Sequence, residues 1–159
     1  MDKRVGKLII VCGLPGSGKT TTALRLQQEY SAIRLSADDW MTSLSVNLHD
    51  EEFRAKIEAL QWALCKELLG FGLTVIIEWG AWARAERDRF RMEARSLGAL
   101  VWLHYLSAPV DVLFDRIQRR GAEDPPIRRE EVSEWAKVFQ APTKEEMALY
   151  DQVTMDIVE

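Results

Sequence analysis

Residues Gly13-Leu14-Pro15-Gly16-Ser17-Gly18-Lys19-Thr20 stand between a short apolar run and a stretch with helical spacing, and few segments of this length restrict a fold so tightly. The preceding Leu8-Ile9-Ile10-Val11-Cys12 is apolar at every position, as expected of a strand buried on both faces in a parallel sheet. Gly13, Gly16 and Gly18 can take positive φ, so successive backbone N–H groups can turn inward and make a nest for an anion. The helix opened by Thr20 and Thr21 points its positive end at the same place. Lys19 then offers a point charge to the β and γ phosphates of a nucleotide, and the Thr20 hydroxyl is placed to hold Mg²⁺.

The rest of the chain agrees with one α/β domain over residues 1–159. Hydrophobic residues make up 47% and charged residues 29% of the sequence, a globular balance without low-complexity tracts. The longest apolar stretches are strand-sized, and Met1-Asp2-Lys3-Arg4 leads straight into the first strand, so the expectation is a cytoplasmic protein with no membrane span. The net charge of −4 gives no global basic field for a polyanion. Cys12 and Cys65 fall in a strand and a helix, without Cys-x-x-Cys or clustered His, and read as reduced core residues.

Short apolar runs alternate with amphipathic stretches, the pattern of a parallel sheet covered by helices on both faces. Five strands are expected, at Leu8–Cys12, Ala32–Ser36, Leu73–Glu78, Leu100–Leu106 and Gln152–Val158. Helices are expected from Thr20, over Asp50–Leu69, Ala83–Leu97 and Val110–Arg120. In the second of these Phe53, Ile57, Leu60, Leu64 and Leu68 recur on one face. Arg116, Arg119, Arg120, Arg128 and Arg129 surround Gly121 and Pro125-Pro126, which makes residues 116–129 either a solvated helix end or a flap whose guanidinium groups close on phosphoryl oxygens.

With the phosphate loop, the Ser36-Ala37-Asp38-Asp39-Trp40 segment and the Arg116 to Gly121 run, the chain resembles the small P-loop kinases, most of all the polynucleotide-kinase and zeta-toxin-like branch. The resemblance implies a three-layer α/β/α sandwich with strand order 2-3-1-4-5 and an arginine-rich lid. It also implies ATP and Mg²⁺, with Gly13, Leu14, Pro15, Gly16, Ser17, Gly18, Lys19, Thr20 and Thr21 on the nucleotide. Asp38 is then the general base, a role its chemistry supports, since an attacking hydroxyl must lose its proton. Asp39 would then organise the metal, a helix cap or the substrate; both aspartates could instead merely cap a turn or short helix. Arg116 and Arg120 become the lid arginines, and Lys19 with them carries the transferring phosphate.

Glu78 is placed at the carboxyl edge of the sheet, where it could hold Mg²⁺ through water, as could Asp38, or bind substrate. Six tryptophans stand in the chain. Trp40, Trp79 and Trp82 adjoin the acidic positions and read either as packing or as an aromatic acceptor pocket; Trp62, Trp102 and Trp135 read as core. His49 and His104 suggest no catalytic dyad. Where the polynucleotide kinases carry an arginine for the acceptor's 3′-phosphate, this chain has Met41, which argues against a nucleic-acid partner. The reading is therefore phosphoryl transfer to a small-molecule hydroxyl. A polynucleotide or nucleoside 5′-hydroxyl kinase and a nucleotide-dependent switch or ATPase are the alternatives, and no obligate protein partner is evident.

Overall fold

The computed structural model describes residues 4–159, so the first three residues of the stretch read as leading into the first strand lie outside the described residues. The chain runs β1 (Lys7–Cys12), α1 (Lys19–Tyr30), β2 (Ile33–Leu35), α2 (Ala37–Ser43), α3 (Glu51–Gly70), β3 (Thr74–Gly80), α4 (Arg84–Ser96), β4 (Leu100–Ser107), α5 (Val110–Arg120), α6 (Arg129–Val138), α7 (Lys144–Met147) and β5 (Gln152–Ile157). The five strands form one parallel sheet in the order β2-β3-β1-β4-β5, as the resemblance implied.

The central strand β1 is buried from Leu8 to Cys12 because both of its faces are covered. Leu8, Ile10 and Cys12 pack with Cys65 and Leu69 of α3 and Phe90 and Ala94 of α4. Ile9 and Val11 pack on the other face with Ala23 and Leu26 of α1. A third cluster, built from Leu14, Leu113, Ile117, Ile127 and Val132, seats α5 and α6 beside the phosphate loop. No helix among the described residues is long and apolar enough to cross a membrane.

Several boundaries differ from the expectation for local reasons. β2 is shorter than Ala32–Ser36 because the Ala32 N–H closes α1 on the Gln27 carbonyl (3.1 Å) and Ser36 leaves the sheet to cap α2. There its hydroxyl accepts from the Asp39 N–H at 3.2 Å. β3 extends past Glu78 to Gly80, where a register irregularity against β1 pairs Cys12 with Gly80. α3 begins where expected, with the Asp50 carboxylate accepting from the Phe53 N–H at 2.9 Å, a cap of the kind that contributes about 1 kcal/mol. Both cysteines are free and buried, and burial pushes each thiol up to about 12.

Candidate active site

The phosphate loop follows from the end of β1 meeting the start of α1. The Gly13 N–H donates to the Gly80 carbonyl at 3.1 Å, pinning the loop to the turn after β3. Gly16 takes φ 83°, and a Cβ there would come within 2.7 Å of the Leu113 carbonyl of α5, so both conformation and space require glycine. Gly13 does not take positive φ. Its requirement is space, since a Cβ would stand 2.6 Å from Ser17 Oγ and 2.8 Å from the Leu106 carbonyl.

Gly18 caps α1 in the left-handed region, leaving the first N–H groups of the helix to Lys19, Thr20 and Thr21 without a side-chain cap. Lys19 folds back over the loop, its Nζ donating to the Leu14 carbonyl at 2.9 Å. Burial lowers its ammonium to about 8, opposed by the nearby Glu78 and Asp38 carboxylates, while Arg120 pushes in the same direction as burial. Four sequence-derived positions from four separate elements therefore share one electrostatic neighbourhood.

Because a bound phosphate favours the charged amine, nucleotide binding above pH 8 is expected to draw a proton onto Lys19. Calorimetry at about pH 8.5 in two buffers of different ionisation enthalpy should show uptake approaching one proton, falling toward none near pH 6.5. Equal apparent enthalpies in both buffers at the higher pH would contradict this.

Glu78 is buried, with its side chain 3% exposed. Oε2 accepts from Arg34 Nη1 at 2.8 Å, whereas Oε1 meets no donor with hydrogen-bond geometry among the described residues. Burial raises its carboxyl, opposed by the neighbouring Thr20 hydroxyl and by Arg34 and Lys19. An unpartnered carboxylate oxygen beside a threonine hydroxyl is a hard-oxygen donor set that fits Mg²⁺.

Asp38 and Asp39 occupy the first turn of α2, and Ser36, not either aspartate, caps it. Both carboxylates are about half exposed. Asp38 Oδ1 accepts from Arg54 Nη1 of α3 at 2.5 Å, and Asp39 pairs with Arg34, which thus bridges Asp39 and Glu78. Neither arginine was singled out from sequence. The local signal for Arg34 is a charge set between Ile33 and Leu35 in a three-residue strand; Arg54 carries none beyond its place in the first turns of α3.

The lid arginines divide. Arg116 Nη1 donates to the Gly16 carbonyl at 3.1 Å, while Arg120 Nη2 pairs with Glu123 at 2.6 Å. Arg119 pairs with Asp115, and Arg129, the first residue of α6, pairs with Asp111. The tryptophans also divide. Trp40 and Trp79 pack on the same cluster around Met41 and Ile57, and Trp79 Nε1 donates to Gln61 Oε1 at 2.7 Å. Trp82 instead packs against Trp135 and Phe139 beside Leu14, on the lid side. Trp62 is core as expected; Trp135 and Trp102, expected in the core, are half-buried, the latter with Lys7 Nζ 3.7 Å from its ring centre. His104 bonds Asp156 at 3.0 Å, away from the loop on β4 and β5.

No protein of curated function matches the chain by sequence. Among solved structures, a gluconokinase from Sinorhizobium meliloti 1021 is 19% identical over 98% of this chain and 84% of its own, with a TM-score of 0.63. Kti12 from Chaetomium thermophilum, solved with ADP-AlF3, is 20% identical over 96% and 89%, with a TM-score of 0.72. A chain of the Pnkp1/Rnl/Hen1 RNA repair complex is 21% identical over 94% of this chain and 48% of its own, again at 0.72. At these identities the likeness establishes the shared fold. Sequence reaches further, since residues 8–142 match the AAA domain family AAA_33, a span that contains the whole phosphate loop, both acidic segments and the arginine-rich residues 116–129. The chain belongs to that family of P-loop domains.

Proposed function

We propose that the protein transfers the γ-phosphate of ATP to a hydroxyl of a small-molecule acceptor. The observation that carries this reading is the glycine-lined phosphate loop, where a Cβ at Gly16 would stand 2.7 Å from the Leu113 carbonyl, together with the buried Oε1 of Glu78, which has no partner among the described residues. A phosphate binder needs only the loop. The half-exposed Asp38 carboxylate of α2, whose charge acts on Lys19, supplies what phosphoryl transfer to a hydroxyl requires in addition.

In this reading the loop amides and Lys19 hold the β and γ phosphates. Arg116, already on the Gly16 carbonyl, closes the nucleotide side, and Arg120 exchanges Glu123 for the transferring phosphate. Thr20 and Glu78 would hold Mg²⁺, which when bound neutralises phosphate charge. Asp38, turned to solvent on α2, accepts the proton of the incoming hydroxyl. Arg54 holds its other side in a fixed direction. Trp40 and Trp79, packed on the cluster around Met41 behind α2, are the side chains assigned to an aromatic wall for the acceptor.

A small acceptor is favoured over a polynucleotide by Met41. That side chain is wholly buried against Ala37 and Ile57, so the position that carries an acceptor-binding arginine in the polynucleotide kinases faces the core here. The test is ADP release with Mg²⁺ATP across a panel of sugars, hydroxylated amino acids, nucleosides and 5′-hydroxyl oligonucleotides. Release that depends on a small hydroxyl compound, and falls about 10²- to 10⁴-fold in Asp38→Asn while nucleotide affinity holds, is the expected outcome. Labelling of the oligonucleotide alone would select the polynucleotide reading. Hydrolysis indifferent to every acceptor would select the ATPase.

A further inference from the structure

The lid is fastened to the opposite bank of the cleft. Asn47 Nδ2 donates to the Asp124 carbonyl at 2.9 Å, and His49 Nε2 stands 3.0 Å from the Pro125 carbonyl. A carbonyl oxygen only accepts, so Nε2 carries the hydrogen. Asn47 and His49 lie in the loop between α2 and α3; Asp124 and Pro125 lie in the segment between α5 and α6. The loop presenting them is itself ordered, for Asn47 Oδ1 accepts from the His49 N–H at 2.7 Å and Val46 and Leu48 pack on the cluster around Met41. The lid segment is tied at its base too, by Arg120 to Glu123 and by Gln118 Nε2 to the Ile127 carbonyl at 2.8 Å.

Between the two fastening residues stands Leu48, whose carbonyl accepts from Arg54 Nη2 at 2.8 Å. Nη1 of the same guanidinium holds Asp38. Hydrogen bonds, joined by the backbone of residues 47–49, thus lead from the lid through Asn47 and His49 to the Leu48 carbonyl, to Arg54 and to the Asp38 carboxylate.

We propose that Asn47 and His49 are positioning residues that latch the arginine lid to the acceptor-side loop, so that lid closure over the nucleotide and the setting of Asp38 occur together. The latch itself stands on the contacts above; its consequence for Asp38 rests on the proposed kinase reading. Such coupling would make any opening of the lid loosen Asp38 as well, which restrains transfer of the phosphate to water while the lid is open.

Hydrogen exchange on the full-length chain tests this, with and without Mg²⁺ and a nonhydrolysable ATP analogue. In nucleotide-free Asn47→Ala/His49→Ala, exchange should rise about tenfold in both residues 121–128 and residues 44–50, with β1 and β3 unchanged. In the unaltered protein the analogue should protect residues 44–50 as well as the phosphate loop, and the double variant should lose only the former. Asn47→Ala/His49→Gln, which restores a donor to the Pro125 carbonyl, should recover part of that protection. Unchanged exchange at either segment, or protection of residues 44–50 that survives the double variant, overturns the latch. Failure of the analogue to protect the phosphate loop would instead count against the kinase reading, and the nucleotide-free comparison would still decide the latch.

Discussion

Lys19→Met is expected to lower ATP-dependent phosphoryl transfer by about 10²- to 10³-fold, the usual cost of losing one preorganised group that meets developing charge. The same change should leave the nucleotide-free protein as stable as before, or more so. Lys19 lies in a site where burial lowers its ammonium from 10.5 to about 8, so at neutral pH the folded protein carries a charge that its surroundings disfavour. A group depressed in this way lets the unfolded chain hold the extra proton between about pH 8 and 10.5, and stability rises with pH through that window. Methionine keeps the unbranched stem, one atom shorter, and removes the charge, so that rise should vanish. Against it stands the lost hydrogen bond to the Leu14 carbonyl, worth about 1 kcal/mol. Thermal melts between pH 7 and 10 beside ADP-release assays check both halves. Equal loss of stability and activity would make Lys19 a structural residue.

The second large effect lies behind the site. Arg87 of α4 and Glu146 of α7 are both fully buried, bonded through Nε to Oε2 at 2.7 Å and Nη2 to Oε1 at 2.8 Å. The remaining donors reach the Ala81 and Gln140 carbonyls, each at 2.7 Å, and Tyr150 Oη donates to Glu146 at 3.2 Å. Every polar atom of the pair is thereby occupied, and Ala81 directly follows the Gly80 that anchors Gly13.

Arg87→Ala leaves the buried Glu146 carboxylate with the Tyr150 hydroxyl and only a longer contact to Arg84 Nε at 3.7 Å, and should cost about 3–5 kcal/mol. For a chain of this size that lowers Tm by roughly 10 °C or more. Arg87→Met/Glu146→Leu removes both charges and should melt above the single variant, because the cost lies in stranding one ion more than in losing the pair. Calorimetric melts of the three proteins decide this; a double variant less stable than the single would refute it.

The phosphate loop and the strands around it were readable because their constraints are local. β1 is apolar throughout, the glycines answer to a tight turn, and Lys19 and Thr20 follow at fixed spacing. Parallel order followed from alternation of runs and spacers. What could not be read is long-range. Arg87 meets Glu146 across 59 positions, Arg34 meets Glu78 across 44, and Arg54 meets Asp38 only because α3 folds back beside α2. Helices α2, α6 and α7 escaped for a different reason. They are short and carry no long apolar stripe; α2 was open only as the short helix that the Asp pair could cap, and α6 begins where the expected lid ends. Glu78 was recognisable as an acidic residue near a strand end, but that one of its oxygens is buried without a partner is a property of packing alone.

The most direct measurement is a crystal structure of the protein with Mg²⁺ and a nonhydrolysable ATP analogue. The account predicts phosphates wrapped by residues 13–20, Lys19 and Arg120 on the terminal phosphate, the cation at Thr20 and Glu78, and Asp38 facing the terminal phosphorus across a space the size of a hydroxyl group. A triphosphate seated elsewhere, or one whose terminal group points away from Asp38, would contradict it.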